Sequence, residues 1–218
     1  MGILNCISAF LYPPRCPVCR KYVENTGDWC AECLNKTVNV HAVPLNLHDC
    51  SIFYRIWALG RYHGVLRDLI IRLKYGKKMA VLPAVHSFIK NAANNIKLPQ
   101  DIDIVVCVPL HKERLKQRGF NQTELIFKQW LAENDLKADN VLERVYFTKA
   151  QYNLTKKDRL KNLKNAFSLK KNSSVMNKNC LLVDDIYTTG ITMSICAGVL
   201  KEHGAAKIYG LVLASDAE

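Results

Sequence analysis

Apolar residues follow two different periods along the chain, and together these periods predict strands that alternate with helices. Continuous or extended apolar runs, typical of strands in a parallel sheet, occupy residues 51–60, 104–108, 180–183 and 207–213. Apolar residues at helical spacing predict helices within 65–76, 81–96, 125–131 and 192–203. Because such alternation is typical of α/β domains, we predict an α/β domain from about residue 51 to the end of the chain.

The first 50 residues show little regular periodicity but contain two CxxC pairs. Cys16-Pro-Val-Cys19 and Cys30-Ala-Glu-Cys33 are separated by ten residues. Two such knuckles provide the four thiolates of a tetrahedral zinc site, and so small a module with few apolar residues needs metal binding to fold. We therefore predict structural zinc on Cys16, Cys19, Cys30 and Cys33, with an iron–sulfur site or redox dithiols as the alternatives.

These patterns divide the chain into a zinc-ribbon-like module over residues 1–50 and an α/β domain over residues 51–218. His48 and Cys50 lie at the boundary and could add metal ligands, but a solvated loop over His48-Asp49-Cys50 is the favoured interpretation. The remaining cysteines of the predicted strands and helices are interpreted as small core residues. They are Cys107, Cys180 and Cys196.

Charge and hydropathy narrow the class of partner. The 218 residues carry a formal net charge of +12, which favours anionic partners such as nucleic acid or phosphorylated small molecules. No apolar run approaches the length needed to span a bilayer, so no membrane insertion is expected. The apolar start has neither a preceding basic residue nor a small-residue cleavage site, so we expect no signal peptide and a cytoplasmic location. In that compartment paired cysteines are more often metal ligands than disulfides.

The most informative stretch runs from residue 181 to residue 192. A buried strand brings Asp184 and Asp185 to its carboxyl end, where α/β sheets bind ligands, and a Thr/Gly turn then opens a helix. Carboxylates accept hydrogen bonds from ribose hydroxyls, while the turn and the helix N-terminus suit a phosphate. A metal-dependent phosphoacceptor site or a plain helix cap with solvated acids would explain only part of this pattern, so a phosphorylated ribose is favoured.

This stretch resembles the phosphoribosyl-pyrophosphate (PRPP) loop of type I phosphoribosyltransferases, and nearly the whole chain resembles the ComF family of competence proteins. The resemblance lies in Tyr12-Pro-Pro-Arg-Cys-Pro-Val-Cys19, Leu73-Lys-Tyr-Gly76, Val108-Pro-Leu-His111, Arg118-Gly-Phe-Asn-Gln122 and the basic segment around Gln151, Arg159 and Phe167. It implies a type I phosphoribosyltransferase-like parallel sheet flanked by helices, preceded by the zinc module. Many relatives carry further CxxC pairs after the first module, whereas this chain has only Cys50 there, so the resemblance supports one zinc site rather than two.

The resemblance also implies roles for individual residues. Asp184 and Asp185 would bind the ribose hydroxyls of PRPP, and its 5′-phosphate would be held by Thr188, Thr189, Gly190 and Thr192. The turn after the strand at 104–108 would correspond to the pyrophosphate loop, with Lys112, Arg114, Arg118 and Gly119. Mg²⁺ is implied as the cation that bridges the pyrophosphate oxygens. No catalytic residue is identified.

A basic run from Arg144 to Lys171 carries nine basic residues and one acid, a local charge of 9 − 1 = +8. Aromatic residues interleave with it, as in proteins that bind single-stranded nucleic acid. A solvated loop, or a lid over the phosphoribosyl site, is the alternative interpretation. The ComF resemblance favours single-stranded DNA, with contacts from Lys156, Lys157, Arg159, Lys161 and Lys164.

Three hypotheses of function follow. The first is a factor of natural competence and DNA transformation that binds PRPP, or a related phosphoribosyl ligand, together with single-stranded DNA. The alternative is an active phosphoribosyltransferase that transfers the phosphoribosyl group of PRPP to a nucleobase or similar acceptor. A third possibility is a structural adaptor whose zinc module docks a competence helicase or a recombination mediator.

Overall fold

A five-stranded sheet with a parallel core organises the chain. The computed structural model describes residues 13–76, 78–145 and 166–217. The sheet order is β1-β2-β7-β6-β3, in which β1 is an antiparallel edge strand and the other neighbours are parallel. Its strands are β1 (Val38–Ala42), β2 (Arg55–Gly60), β3 (Ile104–Cys107), β6 (Asn179–Tyr187) and β7 (Lys207–Ser215). A separate antiparallel hairpin joins β4 (Leu142–Arg144) to β5 (Phe167–Leu169).

Helices cover both faces of this sheet. They are α1 (Ala31–Thr37), α2 (Leu47–Cys50), α3 (Gly64–Lys74), α4 (Leu82–Ala93), α5 (Lys112–Arg118), α6 (Gln122–Glu133) and α7 (Ile191–Glu202), with a 3₁₀ turn at Met79–Val81. Alternate residues of the central strands enter two separate cores, as the two-residue period of a strand requires. One core contains α3, α4 and α6, and the other contains α7 and the hairpin. In the described ranges no helix is both long and apolar enough to cross a bilayer.

The predicted α/β class, a parallel sheet flanked by helices, is confirmed, and the predicted strands and helices of the α/β domain are present. The strand predicted at 180–183 is longer, because β6 continues through Asp184 and Asp185 to Tyr187 and pairs with β7 along this length. Cys180 and Cys196 are fully buried and Cys107 is half-buried, as expected for core residues. The elements that the periodicity did not predict are short or half-exposed: α1, β1, α2, α5 and the β4–β5 hairpin.

The cysteine-bearing segment packs against α4. The Trp29 indole N–H donates to the Ala84 carbonyl at 2.8 Å, and the Trp29 ring lies 5.5 Å from that of Phe88. A side chain at Gly27 would collide with Pro83, so glycine permits this close approach. The same N-terminal region provides β1, which belongs to the main sheet. The division at residue 50 stays a prediction, although part of the sheet lies on its N-terminal side.

Candidate phosphate site and metal centre

Four thiols meet in one cluster. The sulfur atoms of Cys16, Cys19, Cys30 and Cys33 all lie within 4.8 Å of one another, and the Sγ atoms of Cys19 and Cys30 are 3.6 Å apart. A tetrahedral ion with Zn–S bonds of about 2.3 Å would place its sulfur atoms about 3.8 Å apart. The donor set and its spacing therefore fit zinc, and the cluster is a structural zinc site.

The local backbone explains why these four thiols converge. The Cys16 N–H donates to the Lys21 carbonyl and the Arg20 N–H donates to the Cys16 carbonyl, which closes the first knuckle. Arg20 has a φ of 63°, a left-handed conformation that this tight turn requires. Cys30 precedes α1 and Cys33 lies in its first turn, so the helix begins at the metal.

The Cys16 thiol has an environment suited to a thiolate. Burial disfavours its charged form, but hydrogen bonds from the backbone N–H groups of Cys19, Cys30 and Val18 outweigh this and lower the pKa of Cys16 to about 6. Deprotonation is the condition for metal ligation by cysteine.

The predicted solvated loop at His48-Asp49-Cys50 is wrong for its central residue. Asn46 caps the short helix α2 by accepting from the Asp49 backbone N–H at 3.0 Å, which turns the Asp49 side chain inward. Asp49 is only 2% exposed and bonds to Tyr187 and Ser194. His48 and Cys50 are exposed and lie outside the four-cysteine cluster of the described residues.

The two acids of the predicted ligand site are buried side by side near the end of β6. Asp184 Oδ1 accepts from the Asp185 backbone N–H at 2.8 Å and from Thr123 Oγ1 at 3.1 Å. Asp185 Oδ1 accepts from Lys74 Nζ at 2.8 Å, whereas its buried Oδ2 has no hydrogen-bond partner among the residues that the structure describes. This oxygen is a candidate contact for a ligand, because a buried acceptor without a partner is costly.

Burial, followed by the neighbouring charge of Asp185, raises the pKa of Asp184 from 3.8 to about 7. Lys74, the Asp185 N–H and the Thr123 hydroxyl oppose this shift without cancelling it. The pair therefore holds less negative charge at neutral pH than two exposed aspartates would. A cation or a set of hydroxyl donors at the site would favour the doubly ionised form.

The turn after β6 is open to a ligand on one side and packed on the other. Thr188 and Thr189 are exposed, and Thr192 is half-buried in the first turn of α7. Gly190 has a φ of 73°, and a Cβ there would collide with the Tyr187 ring. Tyr187 thus forms the floor of the turn, and glycine is needed at position 190 for both conformation and space.

The Arg118-Gly-Phe-Asn-Gln122 segment connects the turn after β3 to the acidic pair. Asn121 caps α6 and donates from Nδ2 to the Val108 carbonyl at 3.1 Å. Arg118 donates to Gln122 Oε1 at 2.7 Å, and the next residue, Thr123, donates to Asp184. The segment therefore fixes the predicted pyrophosphate turn relative to the predicted ribose-binding acids.

The cations predicted for the pyrophosphate occupy α5, directly after that turn. Lys112 is exposed, while Arg114 and Arg118 are half-buried. The Arg118 guanidinium lies 5.6 Å from the centre of the exposed Tyr75 ring. Gly119 ends α5 with a φ of 83°, and its N–H donates to the Leu115 carbonyl. Their role in pyrophosphate binding stays a prediction.

The basic run is only partly described. Lys156, Lys157, Arg159, Lys161 and Lys164 lie outside the described residues. Arg144, its first cation, is in β4, which bridges to His111 in the predicted pyrophosphate turn. Burial, then the nearby Arg114 charge, lowers the pKa of Arg144 from its ordinary value. His111 is the residue directly before α5, so this bridge places the beginning of the basic run next to α5.

Sequence reasoning missed four residues of this site. Lys74 lies within the quoted Leu73-Lys-Tyr-Gly76 segment, and Thr123 directly follows Gln122, so both could have been suspected. Arg144 enters the sequence analysis only through its contribution to the charge of the basic run. Asp49 could not have been placed, because nothing in the local sequence indicates a contact with residues 138 and 145 positions away.

A zinc module joined to an α/β domain with a parallel-core sheet is the class of protein that the fold and the cysteine cluster define. The protein-family model of the double zinc ribbon domain matches residues 7–44 of the sequence. Competence protein ComFC of Bacillus subtilis is 30% identical over 200 residues, which cover 88% of this chain and 79% of that protein. The chain belongs to the ComF family of competence proteins.

Other relatives have related names. Competence protein F of Haemophilus influenzae is 29% identical and aligns with 92% of this chain and 85% of its own length. DNA utilization protein YhgH of Escherichia coli K12 is 29% identical, and the alignment covers 88% of this chain and 86% of that protein. The structure of a hypoxanthine phosphoribosyltransferase from Staphylococcus aureus superposes loosely, with a TM-score of 0.32 and 11% identity. The superposition covers 86% of this chain and 73% of that one.

We predict that Cys30→Ser removes one bound zinc per chain, because only three thiolates remain to hold it. Trp29 would then lose its packing on α4, which lowers the free energy of unfolding by about 3 to 5 kcal/mol. Zinc analysis and tryptophan fluorescence during chemical unfolding measure both effects. Cys50→Ser, an exposed cysteine outside the cluster, is the control. Unchanged zinc content in Cys30→Ser would contradict the assignment.

A second prediction concerns the pH dependence of stability. Because the pKa of Asp184 is raised to about 7, the folded chain retains a proton that the unfolded chain releases, so stability from this group falls as pH rises from about 4 to 7. Asp184→Asn removes this loss, so the free energy of unfolding of the variant should rise relative to that of wild type between about pH 4 and pH 7.

Chemical unfolding of both proteins at each pH measures that difference. The exposed Asp139→Asn variant is the control, and its difference from wild type should stay nearly constant. If Asp184→Asn also keeps a constant difference from wild type, the raised pKa is wrong.

Proposed function

We propose that this protein acts in DNA transformation or DNA utilization, and that its phosphoribosyltransferase-like site binds PRPP or a related phosphoribosyl ligand. The observation that carries the proposal is the junction of β6 and α7, where two buried carboxylates precede an exposed Thr-Thr-Gly turn. The names of the relatives support the cellular role. Single-stranded DNA is the second proposed partner.

The ligand chemistry follows from the two halves of the junction. Asp185 Oδ2 is a buried acceptor with no donor among the described residues, which suits a ribose hydroxyl. Thr188, Thr189 and the first N–H groups of the twelve-residue helix α7 offer donors to a phosphate. A ribose 5-phosphate places its hydroxyls and its phosphate at opposite ends, so one ligand satisfies both halves.

Magnesium fits this donor set as part of the ligand complex. Mg²⁺ prefers one or two carboxylates together with phosphate oxygens and water, and the buried carboxylate oxygen of Asp185 is of that kind. When bound, the ion would neutralise the pyrophosphate. Lys74 Nζ lies 2.8 Å from Asp185 Oδ1, so the ion would share this carboxylate with an ammonium group.

The DNA partner is supported by charge. Eight of the twelve net positive charges fall between Arg144 and Lys171, and the beginning of that run lies beside Arg114 on α5. A polyanion that bound the run would therefore approach the predicted pyrophosphate turn. The two proposed ligands share phosphate chemistry at adjacent positions.

For the small ligand, we expect wild-type protein to bind PRPP in the presence of Mg²⁺ in isothermal titration calorimetry. Asp185→Asn should weaken binding by about tenfold to a hundredfold, because hydrogen bonds to a charged acceptor become neutral ones. Asp139→Asn is the matched control, and circular dichroism checks folding. Absence of wild-type binding would contradict the proposal. Pyrophosphate release in the presence of each nucleobase would separate transfer from binding alone.

For the DNA partner, a fluorescently labelled single-stranded oligonucleotide should bind with an affinity that falls steeply as salt rises. Replacing Lys156, Lys157, Arg159, Lys161 and Lys164 with glutamine should weaken binding and reduce the salt dependence, because fewer counterions are released. Glutamine at the exposed Lys36, Lys90 and Lys97 provides a control for general charge loss. Equal affinity of wild type and the five-site variant would exclude this DNA-binding role.

A further inference from the structure

Residues 188–190, between β6 and α7, form the turn proposed to bind the ligand phosphate, and we call them the phosphate turn. A buried polar cluster behind this turn has no role in the function proposed above. Asp49 accepts from the Tyr187 hydroxyl at 3.2 Å through Oδ2 and from the Ser194 hydroxyl at 2.5 Å through Oδ1. Tyr187 is the last residue of β6 and Ser194 lies in the first turns of α7, on the two sides of residues 188–190. One carboxylate thus contacts both ends of the turn. We call Asn46, Asp49, Tyr187 and Ser194 the turn bracket.

The carboxylate of the turn bracket is itself held in place. Asn46 donates from Nδ2 to Asp49 Oδ2 at 2.8 Å and accepts from the Asp49 N–H. The Asp49 carbonyl accepts from the N–H groups of Ile52 and Phe53, and the following residue, Tyr54, donates from its N–H to Ile208 in β7. The segment before β2 is therefore tied to the sheet, and Asp49 acts from a fixed position.

The hydrogen bonds of Ser194 indicate that Asp49 restrains the beginning of α7. The Gly190 carbonyl already accepts from the Ser194 backbone N–H at 2.8 Å as part of the helix. Ser194 has one hydroxyl hydrogen, so the shorter contact with Asp49 is its main donation and the 2.9 Å contact with the Gly190 carbonyl is secondary. Asp49 therefore restrains the first turns of α7 as well as Tyr187, the floor beneath Gly190.

From this geometry we propose that Asp49 is a positioning residue for the phosphate turn. It holds the end of β6 and the beginning of α7 at the separation that presents Thr188 and Thr189 to a ligand phosphate. The proposal rests on the proposed function, since it assigns this turn to the phosphate of a phosphoribosyl ligand. Asp49 acts through Tyr187 and Ser194 rather than on the ligand, because both of its carboxylate oxygens already accept hydrogen bonds from Asn46, Tyr187 and Ser194.

The test compares ligands that use different parts of the site. In Asp49→Ala, affinity for ribose 5-phosphate should fall by about tenfold to a hundredfold, because a buried charged acceptor of several hydrogen bonds is lost. Affinity for inorganic pyrophosphate with Mg²⁺, which would use the turn after β3, should stay within about twofold. Asp49→Asn, which keeps one acceptor oxygen, should recover part of the loss. Leu47→Ala, at a 93% exposed side chain of the same short helix, is the control.

Amide hydrogen exchange of the ligand-free protein tests the role of Asp49 without depending on the proposed function. Asp49→Ala and Ser194→Ala should each raise exchange at residues 188–191 by about tenfold, with little change in β3. If wild type binds none of these ligands, the proposed function fails, and the exchange data alone then decide the role of Asp49. A folded Asp49→Ala with wild-type exchange at the turn overturns the proposal. Equal loss of affinity for both ligands also overturns it.

Discussion

The burial of two adjacent carboxylates in the central strand is the constraint on which the site depends. Asp184 and Asp185 are less than one-tenth exposed, and charged groups at such depth need partners. Lys74 at the end of α3 and Thr123 at the beginning of α6 provide them. Two helices that cover one face of the sheet are therefore anchored to the same strand end, and the candidate ligand site lies where they meet.

This constraint explains several sequence segments at once. In the Leu73-Lys-Tyr-Gly76 segment, Lys74 provides the positive charge beside Asp185. In the segment at 118–122, Asn121 donates to the Val108 carbonyl and so connects the turn after β3 to the region of the two acids. Tyr187 and Gly190 belong together because the ring occupies the space that any larger residue at 190 would need. Each segment therefore contributes to one site rather than to an independent motif.

The parts of the fold that could be predicted are those with local or strongly periodic patterns. The CxxC spacing, the runs at 104–108 and 180–183, and the acid–turn–helix junction are such patterns, and the structure contains a four-thiol cluster, a parallel sheet and a positive-φ glycine at these places. Edge strand β1 and the three-residue strands β4 and β5 could not be predicted, because their stability comes from pairing rather than from their own composition. The prediction for Asp49 is the clearest error, since the burial of this residue is set by contacts that are distant in sequence.

The zinc module and the phosphate site are connected through the chain between them. The module packs on α4 through Trp29, β1 joins the sheet, and the following segment places Asp49 behind the phosphate turn. The N-terminal part of the chain therefore contacts the α/β domain at three places: helix α4, the edge of the sheet and the turn after β6.

The central claim is that the acidic pair and the turn after it bind a phosphorylated ribose. A crystal structure of the protein soaked with PRPP and Mg²⁺ tests it most directly. We expect the ribose hydroxyls at Asp184 and Asp185 and the 5′-phosphate against Thr188, Thr189 and the N-terminus of α7. A ligand bound elsewhere, or a wild-type site that stays empty at saturating PRPP, would contradict it.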